Sequence, residues 1–294
     1  MKIIAITKTF RGSEFALDSL ASVYPHIDKM VYIHSEVGWN GDKGNTVRDI
    51  VKKAPDPLKK LIHLSMEGTQ AEQYNYATDY LLKQGIEFDY IMLIDTDEVW
   101  DQAGWDTATP RLLENIKNGN PIKSFKVRVH DYIKSPFYRV DPPSPAKPTA
   151  FLHRSGLVNG IGLRGLGIAP HVLLKTTYYH HFCSVRNSLG AVLNKHDTSC
   201  TAEAEPMVDA TTWIRNVWNR LPNATNCLPL VKHASNWKGV KEISISELPQ
   251  AVRNNPLVLA WAQYPTVSFP HTTVAISPSG PPLKDPRIRT RWGM

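Results

Sequence analysis

The feature that most restricts the fold is a regular alternation of strand-like and helix-like segments through the first hundred residues. Lys2 to Thr9 is apolar and rich in β-branched residues, as a strand requires. Ser13 stands where it caps a helix running to about Val23, with Pro25 closing it. Lys29 to His34 reads as a second strand, Ser35 to Asn45 as a polar, glycine-containing loop, Thr46 to about Lys53 as helix, and Lys60 to Leu64 as a third strand. Thr69-Gln70-Ala71-Glu72 is a capping box, Thr69 at the cap and Glu72 reaching back, and Gly85 ends that helix after Gln84. A fourth strand follows. The order β-α-β-α-β-α-β with right-handed crossovers builds an α/β fold, a mainly parallel sheet with helices on both faces.

The fourth strand, Asp89-Tyr90-Ile91-Met92-Leu93-Ile94, runs straight into Asp95-Thr96-Asp97-Glu98. Open α/β sheets hold their ligands at the carboxyl ends of their strands. Two aspartates one residue apart in an extended turn can share a divalent cation and leave its other positions to substrate phosphates. An Asp-x-Asp triplet alone also describes a solvated turn. The apolar run before it marks this one as a metal–diphosphate site in outline.

Beyond Asp106 the pattern changes. Ser124 to Tyr132 alternates, Phe125, Val127 and Val129 on one face and Lys126, Arg128 and His130 on the other, as in a half-exposed strand. The proline-rich stretch Pro142 to Pro148 separates it from Thr149 to Arg154. Gly156 to Gly167 holds five glycines and reads as a turn or mobile loop without phosphate-loop spacing. Val172 to Phe182 reads as strand, Val185 to Lys195 and Val208 to Leu221 as helices, and the tail from Ser277 as irregular. The expected organisation is therefore residues 1–110 as a nucleotide- and metal-binding half and residues 111–294 as an α+β elaboration.

Charge follows the same division. Residues 1–110 carry 11 Lys/Arg against 17 Asp/Glu, and residues 111–294 carry 23 against 10. An acidic half around a metal site and a basic half suggest a cation-bound donor and an acidic partner; a basic surface with no such partner is the alternative. There is no run of about 18 apolar residues, which argues against stable membrane insertion. The apolar start Ile3 to Ile6 is too short for a secretory signal. Cys183, Cys200 and Cys227 lack metal-binding spacing and fit a reducing, cytoplasmic setting.

A short first strand, a loop after strand two, the helix carrying Gln70-Ala71-Glu72-Gln73-Tyr74-Asn75-Tyr76-Ala77 and a strand ending in Asp-Thr-Asp-Glu together resemble glycosyltransferases of the GT-A fold, nearest the family 2 type. The resemblance covers residues 1–105 and, more weakly, 176–200. It implies that Asp95 and Asp97 bind Mn²⁺ or Mg²⁺ on a donor diphosphate, with Thr7, Glu36, Gln73 and Asn75 near the donor and the loop from His34 to Asn45 beside the base. Ser35-Glu36 stands where the family has an aspartate. The family also implies a C-terminal histidine at the metal. His180 and His181 point to opposite faces of a strand, so one can reach it, and His181 is preferred. Arg186 and Lys195, expected on a helix, could neutralise a leaving diphosphate. Family 2 implies inversion of configuration, which needs a carboxylate base; Asp131 is the first candidate and Glu98 the second, the latter equally suited to steadying the metal ligands.

The expected reaction moves a sugar from a nucleotide sugar, UDP-linked, to a hydroxyl. Basic and aromatic residues interleave around Lys126, Arg128 and Tyr132, and with Arg164 in the glycine-rich loop they are the candidates for acceptor binding. They suggest an acidic acceptor, a hydroxymethylated base in DNA, as in some phage-encoded glycosyltransferases. That base would have to be extruded from its duplex, with the basic tail at Lys284, Arg287, Arg289 and Arg291 beside it. The alternatives are a transferase of surface polysaccharide or glycolipid synthesis, a nucleotidyltransferase, and a non-catalytic nucleotide or nucleic-acid binding module.

Overall fold

The computed structural model describes residues 1–10, 13–37, 43–119, 121–143, 148–157, 161, 170–186, 188–192, 210–223 and 239–263. Its centre is a parallel sheet. β1 (Ile3–Thr9) lies between β2 (Lys29–His34) and β4 (Tyr90–Leu93), and β3 (Leu61–Ser65) extends the sheet beyond β2. Alternate residues of these strands enter two separate cores. Ile3, Ala5, Met30, Tyr32, Tyr90 and Met92 meet α1 (Ala16–Val23) and α4 (Gln102–Lys117), whereas Ile4, Ile6, Val31, Ile33, Ile91 and Leu93 meet α3 (Gln70–Lys83). Helices on both faces are why these strands are apolar throughout instead of alternating.

Helix starts show how far local chemistry goes. At α3 the capping box is formed: Thr69 Oγ1 accepts from Glu72 N at 3.2 Å, and Glu72 Oε2 from Thr69 N at 2.7 Å. Gly85 then adopts φ +64, as a helix C-terminus of this kind requires. Ser13 does not cap α1; Ser13–Phe15 forms a 3-10 turn that leads into it. α2 is one short turn, Arg48–Lys52, that begins two residues after the expected start at Thr46, and Asn45 Oδ1 accepts from Val47 N and Arg48 N in the turn that leads into it. The pattern change expected after Asp106 comes later, because α4 continues to Lys117. Asp101 caps it, accepting from Gly104 N at 2.7 Å, and Gly104 and Pro110, both sequence signals against helix, lie inside it.

The strands beyond α4 join the same sheet. β8 (Thr149–His153) pairs antiparallel with β4 and with β6 (Ser124–Ile133), so the sheet is continuous across the charge division near residue 110. β6 turns Phe125, Val127 and Val129 into the core shared with α4 and leaves Lys126, Arg128 and His130 half-buried. The longest strand, β9 (His171–Ser184), runs parallel to β6, and its end pairs antiparallel with β5 (Glu98–Val99). β7 (Tyr138–Asp141) and β10 (Gly239–Glu242) close that edge. Within the expected helix from Val208, α5 spans Ala210–Asn216 and a 3-10 turn Trp218–Arg220; α6 is Pro256–Gln263. Trp213, Trp218 and Trp261 are buried. Asn255, just before α6, ties that helix to α1, donating to Glu14 O at 2.7 Å and Asp18 Oδ2 at 2.6 Å. No helix among the described residues is long and apolar enough to cross a membrane.

Candidate active site

The Asp95-Thr96-Asp97-Glu98 turn sits at the carboxyl end of β4, in the middle of the sheet, and is bonded to itself in both directions. Glu98 N donates to Asp95 O at 3.1 Å, and Asp95 N donates to Glu98 Oε2 at 3.0 Å. Glu98 is 1% exposed, so its carboxyl steadies Asp95 and does not face an acceptor. Ser19 of α1 adds a bond to Asp95 O at 3.2 Å.

Each aspartate of the pair meets a cationic side chain distant in the sequence. The β1/β4 register aligns Ile6 with Leu93 and so brings Lys8 level with Asp95, and Lys8 Nζ lies 2.7 Å from Asp95 Oδ1. Asp97 Oδ2 receives Arg186 Nη2 at 2.6 Å. Arg186 is not on a helix: it lies two residues past the end of β9 and is 3% exposed. Its other nitrogen, Nη1, is 3.6 Å from Glu14 Oε2. Burial works against the Arg186 charge, but Asp97 and Glu14 outweigh it and the pKa is raised.

The β5/β9 ladder sets Glu98 opposite His181 and Val99 opposite His180, and the two imidazoles diverge as adjacent strand residues must. His181 Nε2 faces Asp97 Oδ1 at 3.7 Å, while its Nδ1 is 2.8 Å from Asp131 Oδ1. Burial opposes protonation of His181, yet Cys183, Asp131 and Asp97 together raise its pKa well above the usual value. His180 instead bonds Tyr132 Oη through Nδ1 at 2.7 Å and faces Asp101 Oδ2 at 3.3 Å; burial lowers its pKa.

Several expected roles change in this setting. Asp131 is buried behind His181, so it orients that ring and is not presented to an acceptor hydroxyl. Tyr132 is fully buried against Phe182 and His180, which removes it from any acceptor surface. Thr7 and Gln73 are buried; Gln73 Nε2 donates to Met66 O at 3.1 Å, and Asn75 Oδ1 accepts from Ile161 N at 2.6 Å, so both amides serve the backbone. Glu36 pairs with Arg48 at the mouth of the loop after β2. Lys126 and Arg128 remain half-buried on β6, Arg128 lying 5.9 Å from the Tyr178 ring centre. Lys195, Arg164, the basic tail and most of the glycine-rich loop lie outside the described residues.

Sequence reasoning missed Lys8, Glu14, Glu67 and Cys183. Glu67 fastens the loop after β2: Oε1 accepts from Glu36 N at 2.6 Å, Oε2 from Val37 N at 3.3 Å and from the Ser35 hydroxyl. Beside that loop His34 is pushed down to about 4 by burial and by His63, whose Nδ1 is 3.0 Å away. The available signal was strand position, since Lys8 and Cys183 lie in step with Asp95 and His181. A separate cavity of ≈ 440 Å³ opens between α4 and the start of β9, beside Arg111, Asn115, Phe125 and Lys175, and holds none of these carboxylates.

No protein-family model and no curated protein sequence matches the chain. Among solved structures it is similar to S. aureus TarS, at 14% identity and a TM-score of 0.42 over 78% of this chain and 49% of that one, so it spans about half of TarS. TarS 1–349 gives 13% and 0.42 over 77% and 79% of the two chains. The inositol-1-phosphate CTP transferase from T. maritima gives 10% and 0.33 over 67% and 98%. Likeness at this level carries no argument about activity. The mixed α/β architecture rests on the chain's own topology, and its function has to be read from the side chains at the end of β4.

Proposed function

We propose that this chain is a metal-dependent transferase acting on a nucleotide-activated donor, and within that class a GT-A glycosyltransferase that moves a sugar from a UDP-linked donor to a hydroxyl. The observation that carries the reading is the Asp95–Asp97 pair at the carboxyl end of the central parallel strand, with His181 Nε2 3.7 Å from Asp97 Oδ1 and with Lys8 and Arg186 bonded to the two aspartates. The two carboxylates suit a hard divalent cation, and the imidazole beside Asp97 can complete its coordination. Counting Glu98, Asp131 and Glu14, five carboxyl groups face three basic side chains, Lys8, Arg186 and His181, so the site keeps an excess of acid. Asp97 and His181 would hold Mn²⁺ or Mg²⁺ with Asp95. Such an ion, when bound, stabilises the charge that develops on a leaving diphosphate.

The chain's own residues do the positioning. Glu98 and Ser19 hold the Asp95 turn, Arg186 orients Asp97, and Asp131 fixes the His181 ring. Lys8 and Arg186 add positive charge beside the place where the diphosphate leaves. On the acceptor side, Lys126 and Arg128, with Tyr178, suit an acidic partner such as hydroxymethylated DNA, whose binding would weaken steeply with salt.

The test is release of nucleoside diphosphate from a panel of nucleotide sugars, with Mn²⁺ or with chelator, comparing the native chain with Asp97→Asn. The expected result is metal-dependent release that falls by at least about 100-fold in the variant, the scale of losing one preorganised electrostatic group. Release that survives both chelator and substitution would reject the metal site. Pyrophosphate release in place of diphosphate would move the reading to nucleotidyl transfer.

A further inference from the structure

Asp131, on the opposite edge of the His181 ring from Asp97, belongs to a second group of donors. A carboxylate oxygen of Asp131, a ring nitrogen of His181 and the thiol of Cys183 lie within 4.8 Å of one another, the one such grouping of these residue types among the described residues. Asp131 and His181 are register partners on two hydrogen-bonded strands, and Cys183 follows His181 by two residues, hence on the same face of β9. The β6/β9 ladder is irregular just past Asp131, between Asp131 and Ile133. Donors carried by paired strands are held in place before any ligand arrives, which separates this group from a chance cluster on loops.

Its chemistry differs from that of the neighbouring aspartates. Thiolate, imidazole and carboxylate form the ligand mixture of zinc and related borderline metals, whereas Mg²⁺ takes oxygen. Three protein ligands leave a fourth position open. Asp97 Oδ1 faces the other nitrogen of the same ring at 3.7 Å, the place where a carboxylate orients a metal-bound histidine. We propose that Asp131, His181 and Cys183 form a binding site for a divalent transition metal of the zinc class, distinct from the hard-cation site at Asp95 and Asp97. A neutral imidazole has one lone pair to give. A metal on the Asp131 side leaves the opposite nitrogen protonated and directed at Asp97, so His181 serves one cation site at a time. Zinc-class occupancy would then withdraw His181 from the donor site.

Co²⁺ titration of the metal-free full-length chain tests this without any donor or acceptor, so its failure is distinguishable from failure of sugar transfer. One equivalent of Co²⁺ should produce thiolate-to-cobalt charge-transfer absorption in the near ultraviolet. Stoichiometric Zn²⁺ should remove the band, and a large excess of Mg²⁺ should not. The band should be absent in Cys183→Ser and retained when Cys200→Ser and Cys227→Ser are combined. In Asp131→Asn, with its fold checked by circular dichroism, Co²⁺ affinity should fall about 10-fold or more. Absence of the band in the native chain, its survival in Cys183→Ser, its removal by Mg²⁺, or unchanged affinity in a folded Asp131→Asn would overturn the proposal.

Discussion

Removing the Asp97 carboxylate should cost stability as well as activity, and the structure gives the size of the effect. The Asp97 and Arg186 side chains are 6% and 3% exposed, and they meet at 2.6 Å. In Asp97→Ala the guanidinium stays buried, with its next carboxylate, Glu14, at 3.6 Å, beyond hydrogen-bond length. Breaking a buried ion pair from one side costs about 3–5 kcal/mol, against a total stability of about 5–15 kcal/mol. At roughly 2–4 °C per kcal/mol for a long chain, Tm should drop by about 6–20 °C. Asp97→Asn retains an acceptor oxygen and loses the charge, so its cost should be smaller, about 1.5–3 kcal/mol. Arg186→Met added to Asp97→Ala should recover part of the loss, because an apolar replacement of both partners leaves no buried charge. The assay is thermal unfolding followed by circular dichroism for the native chain, the two single alanine and methionine variants, Asp97→Asn and the double variant. A drop below about 2 °C in Asp97→Ala, or a double variant that loses the full sum of the two singles, would refute the buried pair and with it the orientation of Asp97 assigned to the donor site.

Two further outcomes follow from packing around α1 and α4. Burial raises the Asp18 carboxyl from an ordinary 3.8 to about 6, partly offset by the bond from Asn255. The folded state therefore binds this proton more tightly than the unfolded state, so the penalty is absent below about pH 4, grows between 4 and 6, and is complete above 6. Asp18→Asn should stabilise the protein by roughly 2–3 kcal/mol above pH 6 and flatten that part of the profile, as urea unfolding at pH 4, 5, 6 and 7 would measure; equal stability of the two chains at pH 7 would count against a buried charge. In Gly104→Ala the new methyl group would fall 2.7 Å from Tyr178 O, so α4 and β9 must separate. The expected loss is about 1–3 kcal/mol by the same measurement, and a neutral substitution would mean that this close approach is absent in solution.

The first four strands, the capping box at Thr69 and the position of Asp95 and Asp97 were legible in the sequence because each depends on local rules. A strand buried on both faces must be apolar throughout, and a helix cap must supply an acceptor to nearby N–H groups. Where two local signals competed, tertiary contacts chose between them. α2 begins at Arg48, two residues past the expected start at Thr46, with Asn45 holding Val47 N and Arg48 N, and α4 runs through Gly104 and Pro110 because Trp105, Ala108 and Leu112 bury themselves against β6 and β9.

Most of the site's partnerships were beyond local rules altogether. The sequence by itself determined that three carboxylates end a buried parallel strand, and it narrowed the distal histidine to adjacent residues of another strand. Only the tertiary structure decided that His181 faces Asp97 while His180 turns to Tyr132 and Asp101, that Arg186 is buried on Asp97 instead of lying along a helix, and that Lys8 meets Asp95. The physical reason is that strand periodicity sets which side chains share a face, whereas register between strands far apart in the chain sets which of them meet, and register depends on the packing of the whole sheet.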